Sequence, residues 1–455
     1  MSINPPPAGS QSLKSGSLHW LQAAALGIAI AISGNTAGWN YGLAVGGWGG
    51  MLVAALATVI LFFGLTQALA ELSAALPNVG GFDAYVLRSI GPATSYLTGM
   101  SAAIALSVGA GLAIAFSEAY VSAWIGLSGW PVRIAFLALV LGLQLRGAQE
   151  AVSLTVIVGV TALIILIAFC LYMAPEFQMA RLFTKAPDGT LSLFPHGIRG
   201  VIACIPFALF LFLGVEQAAQ AAAELRDVTG AMPKALAVAI GVAFIIGMAV
   251  LLLSTGGVDI AHLSAVDAPL LAAAVAHPDR AGTAFMARLI GVGALIAIQG
   301  TFFSLVYAGS RQFYHLAHAR LLPPSLGRVN RRQAPAASLI LVSVIALVSA
   351  AFPPNGTMVV FIFLICVSYV LVLLAFLSLR RREPGIERPY HAWGGRFIGT
   401  LSLILALVVM ASCYRLETRA LTIAIVATVA IMVHFYLFQS RWRRLQSVNR
   451  TGLSH

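Results

Sequence analysis

Twelve long apolar runs, separated by short polar punctuation, leave this chain only one environment in which it can fold. A helix needs roughly 20 consecutive apolar residues to cross a bilayer. Runs near that length fall at 19–46, 50–76, 93–124, 130–146, 151–173, 198–224, 233–256, 283–308, 335–352, 357–379, 396–413 and 419–438. Between them stand breakers such as Pro77-Asn78-Val79-Gly80-Gly81, Ala174-Pro175-Glu176, Pro353-Pro354-Asn355-Gly356 and Arg380-Arg381-Arg382. Only 9% of the residues are charged, whereas a soluble domain carries roughly 25%, so the chain could not cover a water-facing surface. The reading is an all-α polytopic membrane protein with twelve transmembrane helices. Residues 1–18 form a polar tail, and the apolar run after it is too long for a cleaved signal peptide. Residues 439–455 form a second tail.

The net charge of +12 could suggest a nucleic-acid partner, but its placement argues for topology. With both termini in the cytoplasm, the cytoplasmic segments hold 19 of the 27 Lys and Arg residues, as the positive-inside rule requires. Anionic headgroups account for the rest of the bias, and no nucleic acid is expected. The four cysteines, Cys170, Cys204, Cys366 and Cys413, lie in apolar stretches without ligand spacing and read as packing residues. No metal or cofactor is expected.

Two spans fail to be smooth apolar helices. Ile32-Ser33-Gly34-Asn35-Thr36-Ala37-Gly38 interrupts the first near its middle, and Leu213-Gly214-Val215-Glu216-Gln217 interrupts the sixth. The breaks are five spans apart, so 19–173 and 198–379 read as equivalent halves, with 396–438 appended. Five is odd, so the halves are inverted relative to each other. Paired glycine-interrupted segments in two inverted halves are the sequence sign of a secondary transporter.

The physical reason lies in the backbone. Unwound peptide groups in a bilayer cost several kcal/mol each unless they line a cavity. The freed N–H end of one half-helix suits a carboxylate or hydroxyl, and the freed carbonyl end suits an ammonium group. Ser33, Asn35 and Thr36 add side-chain donors and acceptors. The breaks therefore predict a midplane site for a small molecule carrying an amine and an oxygen group. Small residues in spans also serve helix packing, which is the reading for Gly46, Gly109, Gly111 and Gly241. Glu216 is an acid at membrane depth, where acids are expensive and usually functional. It pairs with a substrate ammonium, carries a coupling proton, or braces the unwound segment; the sequence leaves these open. Glu71 and Glu118, near span ends, read as structural.

Three segments then resemble a known family. Ala70-Glu71-Leu72-Ser73-Ala74-Ala75-Leu76-Pro77-Asn78-Val79-Gly80-Gly81, Gly309-Ser310-Arg311-Gln312-Phe313 with Arg320-Leu321-Leu322-Pro323, and Gly214-Val215-Glu216 with Ala222-Ala223-Glu224 and Pro233 are similar to amino acid–polyamine–organocation permeases. The resemblance implies the LeuT-type five-plus-five inverted repeat with two further helices at the C-terminus. Ser33-Gly34, Gly38-Trp39-Asn40, Ile205-Pro206-Phe207-Ala208, Ser310-Arg311-Gln312 and Arg388-Pro389-Tyr390 resemble the ethanolamine permease branch more narrowly. That implies a small amine or amino acid substrate, held by residues 32–38, Phe207 and 213–216. Related arginine–agmatine antiporters close an aromatic over the substrate six residues before the acid of span 6, which here makes Phe210 the gate. The chain departs from the branch at Asn35, where an acid is usual; an amide brings no charge, so a neutral or zwitterionic substrate gains ground. No lysine stands in 151–173, where some proton-coupled members have one. The coupling ion is thus open between proton and sodium.

Other function classes fit less well. A channel needs a polar pore stripe or a ring from several subunits. An enzyme needs a convergent set, yet of nine histidines only His434 lies within a span, and no P-loop is present. The expected function is a non-enzymatic permease of the cell's inner membrane working by alternating access. Its substrate is a small amine or amino acid such as ethanolamine, with neutral amino acids or polyamines as alternatives. Oligomeric state is not legible.

Overall fold

A computed structural model describes residues 19–76, 81–146, 151–216, 219, 225, 227–319 and 321–451, without the side chains of 26, 30, 151–156, 228 and 439–451. Residues 1–18, Pro77-Asn78-Val79-Gly80, Gln217, Ala222-Ala223-Glu224, Arg320 and 452–455 lie outside the described residues; of the tail read at 439–455, residues 439–451 continue the last helix. Fifteen α-helices carry the described chain, with one two-residue hairpin, Thr184–Lys185 against Leu191–Ser192. Eight helices are long and apolar enough to cross a membrane, and four shorter apolar ones stand at Trp20–Ser33, Trp130–Leu145, Gly197–Leu211 and Ala336–Ser349. These helices fall on the twelve runs read from the sequence, except that the first run, 19–46, is helical only to Ser33 and its residues 41–46 continue into the second helix. The protein is an all-helical, multi-pass membrane protein.

In chain order the helices are α1 Trp20–Ser33, α2 Tyr41–Ala75, α3 Gly81–Ser89, α4 Pro92–Ile125, α5 Trp130–Leu145, α6 Ala151–Met173 and α7 Gly197–Ala208. There follow α8 Val228–Gly257, α9 Ile260–Ser264, α10 Pro269–Val275, α11 Thr283–His318, α12 Ala336–Ser349, α13 Pro354–Arg382, α14 Gly395–Ser412 and α15 Thr418–Thr451. The turn between the first and second spans is a kink inside α2, at Gly47 (φ 69°). A side chain there would meet the Pro195 ring at 2.6 Å, so both the positive φ and the close approach demand glycine.

α4 is the most enclosed of the long helices and packs against α11, α12 and α13, while α1 lies among α6, α8 and α11. The lipid-facing surface is evident on α14 and α15, where Phe397, Ile404, Leu407, Ile423, Val426, Val429 and Val433 are exposed. In a bilayer such residues are at no disadvantage. The small-residue reading is correct at Gly46, which meets Cys204 Sγ and Gly200 O, at Gly109 against the Phe361 ring, and at Gly111 against Ser349. It fails at Gly241, where a Cβ would meet nothing within 4 Å; that glycine packs no neighbouring helix.

Glu71 and Glu118 are both structural. Glu118 accepts from Gly129 N at 2.5 Å and pairs with Arg133, which also donates to Ala350 O, tying the α4–α5 turn to the end of α12. Glu71 is 2% exposed and forms the centre of a larger clamp. It accepts from Arg380 Nε at 2.8 Å and from Ala392 N at 2.8 Å, and pairs with Arg388 at 3.2 Å. One turn earlier, Gln67 Oε1 accepts from Tyr390 Oη at 2.5 Å and Trp393 N at 3.0 Å. The connection from α13 to α14 is thereby folded back onto α2.

Candidate functional site

The two interruptions meet. After Ser33, three successive i→i−3 bonds (Gly34 to Ala31, Asn35 to Ile32, Thr36 to Ser33) tighten the chain out of α-geometry. The segment then turns at Gly38, with φ 95°. After α7 the backbone passes through a 3₁₀ turn at Leu209–Leu211 and turns at Gly214, with φ 100°. Gly34 presses against the Phe210 peptide so closely that a Cβ would lie 1.8 Å from its carbonyl oxygen. Positive φ at the two turns and backbone-on-backbone contact between the breaks are conditions that only glycine meets without strain.

The remaining polar groups show what each segment still offers. Thr36 Oγ1 donates to Ser33 O at 2.6 Å, and Asn35 Nδ2 donates to Ala31 O at 3.3 Å. Ser33 Oγ pairs with Thr301 Oγ1 of α11. Asn35 is fully buried, and its Oδ1 has no hydrogen-bond partner among the described residues. A buried amide oxygen left unpaired costs about 1–3 kcal/mol. It faces Gly247 of α8, whose added Cβ would stand 3.3 Å away. Glu216 is 5% exposed, accepting from Gly214 N at 2.9 Å through one oxygen and from Tyr369 Oη of α13 at 3.1 Å through the other. Both oxygens thus brace the break.

The Phe210 ring and Met358 both lie against Gly38, and the ring is edge-on to Phe361 at 5.9 Å between centroids. That puts an aromatic plate over the first break. Phe207 sits elsewhere, edge-on to Tyr41 at 6.2 Å and above Gly42, beside the first turn of α2. Ile32 and Val215 are buried next to their breaks, and Ala37 is 3% exposed. Leu213 is partly buried against the core.

Five residues that sequence reasoning missed complete the site. Tyr120 of α4 donates to Thr36 O at 2.6 Å, Tyr369 donates to Glu216, and Thr301 pairs with Ser33. Asn40 donates to Leu263 O and Val266 O, each at 2.8 Å, and the adjacent Tyr41 donates to Asp267 at 2.5 Å. These last contacts latch the far side of the first break to the α9–α10 region. The available signal was a tyrosine deep inside an apolar run, since a buried phenol needs a partner.

Residues 18–435 match the family model described as amino acid permease. The chain is 22% identical to an uncharacterized transporter of Rhizobium meliloti over 94% of this chain and 91% of that protein. It is 23% identical to a branched-chain amino acid permease of Bacillus subtilis over 78% of each. It is likewise 23% identical to a methylthioribose transporter of Bacillus subtilis, over 80% of this chain and 81% of that protein.

Proposed function

The chain belongs to the amino acid permease family, and on that premise we propose that it is a secondary active transporter whose substrate, a small amine or amino acid such as ethanolamine, binds between residues 32–38 and 213–216. As a family member it is a multi-pass membrane transporter of amino acids or related compounds and not an enzyme. The observation that carries the finer reading is the buried Asn35 Oδ1, without a hydrogen-bond partner among the described residues, beside two glycine-turned breaks. It is a neutral acceptor for one ammonium group, assisted by peptide dipoles. The carboxylate of Glu216 is already engaged at both oxygens, so the site offers little to a second or third ammonium. That favours a neutral amino acid or ethanolamine over a polyamine.

Transport then proceeds by alternating access, with substrate stabilising the closed form best. Phe210 shields the bound molecule. The Asn40 and Tyr41 latch closes one side, and the Glu71 clamp stiffens the basic end. We place the protein in the inner membrane with both termini in the cytoplasm, following the distribution of arginines. The coupling ion is a proton or sodium.

Competition uptake in proteoliposomes tests the reading. Neutral amino acids or ethanolamine should compete and spermidine should not; competition by polyamines alone would overturn it. Asn35→Asp should shift preference toward cationic amines by about tenfold, equivalent to roughly 1.4 kcal/mol. Unchanged selectivity would remove the ammonium from Asn35. Glu216→Gln keeps the shape but loses the charge that accepts from Gly214 N and Tyr369 Oη. Uptake should fall about tenfold or more, the cost of one charge-assisted hydrogen bond. Retention of wild-type uptake and of its pH dependence would strip Glu216 of both bracing and coupling roles.

A further inference from the structure

Away from the breaks stands a guanidinium that no acid among the described residues answers. Arg311 is half-buried near the end of α11, and none of the ion pairs among the described residues uses it. Its guanidinium carbon stands 3.4 Å over the Tyr307 ring centroid. A cation–π contact of this kind holds the group in place but does not neutralise it. Along the chain, no Asp or Glu occurs between Asp279 and Glu383. Asp83 of α3 accepts from Gln312 Nε2, next to Arg311 in the chain, at 2.8 Å, and no ion pair joins it to Arg311 among the described residues.

Arg311 lines a small cleft, open on one side, where α5, α11 and the start of α12 converge. Gln144, Tyr307, Ser310 and Gln333 supply the polar lining. Gln144 is turned by its bond to Phe303 O at 2.7 Å, and Ser310 by its bond to Tyr307 O at 2.9 Å. Gln333 is the one non-glycine residue with positive φ (60°) among the described residues. Asn330 forces that conformation, accepting from Arg332 N at 2.8 Å and Ala334 N at 3.0 Å while donating to Leu145 O at 3.0 Å. The turn thus spends strain to set Gln333 at the cleft mouth, in a segment that also carries Arg328, Arg331 and Arg332.

We propose that this cleft binds a phosphate group, with Arg311 as the contacting cation and Gln333 as a second donor. Arg suits phosphate because its planar fork can donate two parallel hydrogen bonds. Depth favours a phospholipid headgroup as the source. Arg311 stands 28 residues beyond Thr283 on α11, or about 42 Å at roughly 1.5 Å per residue, past a hydrocarbon core of roughly 30 Å. Basic pockets between spans at headgroup level are suited to anionic lipid.

The test uses the full-length protein in nanodiscs of phosphatidylcholine, with or without phosphatidylglycerol, and separately with inorganic phosphate titrated into the phosphatidylcholine discs. Phosphatidylglycerol should raise the thermal midpoint of the wild type. If inorganic phosphate raises it instead, the source is free phosphate. In either case Arg311→Gln should weaken the apparent affinity about tenfold, and Arg311→Lys should recover part of it. Should Arg311→Gln fail to fold, Gln333→Glu, which keeps Arg311 but sets a negative charge at the mouth, should lose the response. An equal rise in wild type and in the folded variants, or no rise in the wild type with either addition, overturns the proposal. Because the readout is stability, the result stands apart from the identity of the transported substrate.

Discussion

Gly34→Ala should abolish uptake. The new methyl would lie 1.8 Å from the Phe210 carbonyl oxygen and 2.9 Å from its carbon. The obstacle is backbone, so no rotamer change relieves it. Overpacking in a tight interior costs about 1–3 kcal/mol, and relief requires the two breaks to separate. Separation displaces Phe210 from Gly38 and shifts Glu216, whose partners are Gly214 N within the second break and Tyr369 of α13. A loss of more than about 100-fold in uptake is expected, equivalent to roughly 2.7 kcal/mol, with a lower thermal midpoint. Gly241→Ala is the control, since nothing lies within 4 Å of its added carbon; it should behave as wild type. Undiminished uptake by Gly34→Ala, measured in proteoliposomes, would mean that the breaks do not meet through this contact.

Glu71→Gln should be the most destabilising single replacement of a charge. The carboxylate neutralises Arg380 and Arg388, whose side chains are 18% and 8% exposed. Removing one member of a buried ion pair leaves its partner charged without compensation, at a cost of about 3–5 kcal/mol. The amide keeps the volume and one acceptor, so the lower part of that range applies. The thermal midpoint should fall, and the connection between α13 and α14 should become sensitive to protease. The double variant Glu71→Gln with Arg388→Gln should recover part of the loss. An unchanged midpoint in the single variant would show that the clamp carries no net stability.

These variants divide along the line between what was legible in the chain and what was not. Span positions could be read because each helix must satisfy its own backbone in lipid, which writes apolar length directly into sequence. The breaks at Ser33–Gly38 and Leu213–Glu216 could be read for the same reason, as polar and glycine-rich residues where apolar ones belong. Glu71 could be recognised as structural from its place at a span end. Its partners could not, because Arg380, Arg388 and Ala392 follow it by more than 300 residues. Phe207 reads as part of the binding segment in sequence, yet it packs on Tyr41 at the neighbouring turn.

The sequence by itself determined that the chain is a multi-pass helical membrane protein and where two of its helices must come undone. Local periodicity and the cost of bare peptide groups in lipid suffice for both. Only the tertiary structure decided which groups answer those breaks: Tyr120 on Thr36, Thr301 on Ser33, Tyr369 on Glu216, and, among the described residues, nothing on Asn35 Oδ1. Those pairings join spans separated by up to 268 residues. They depend on how helices cross in space, which no local pattern in the chain encodes.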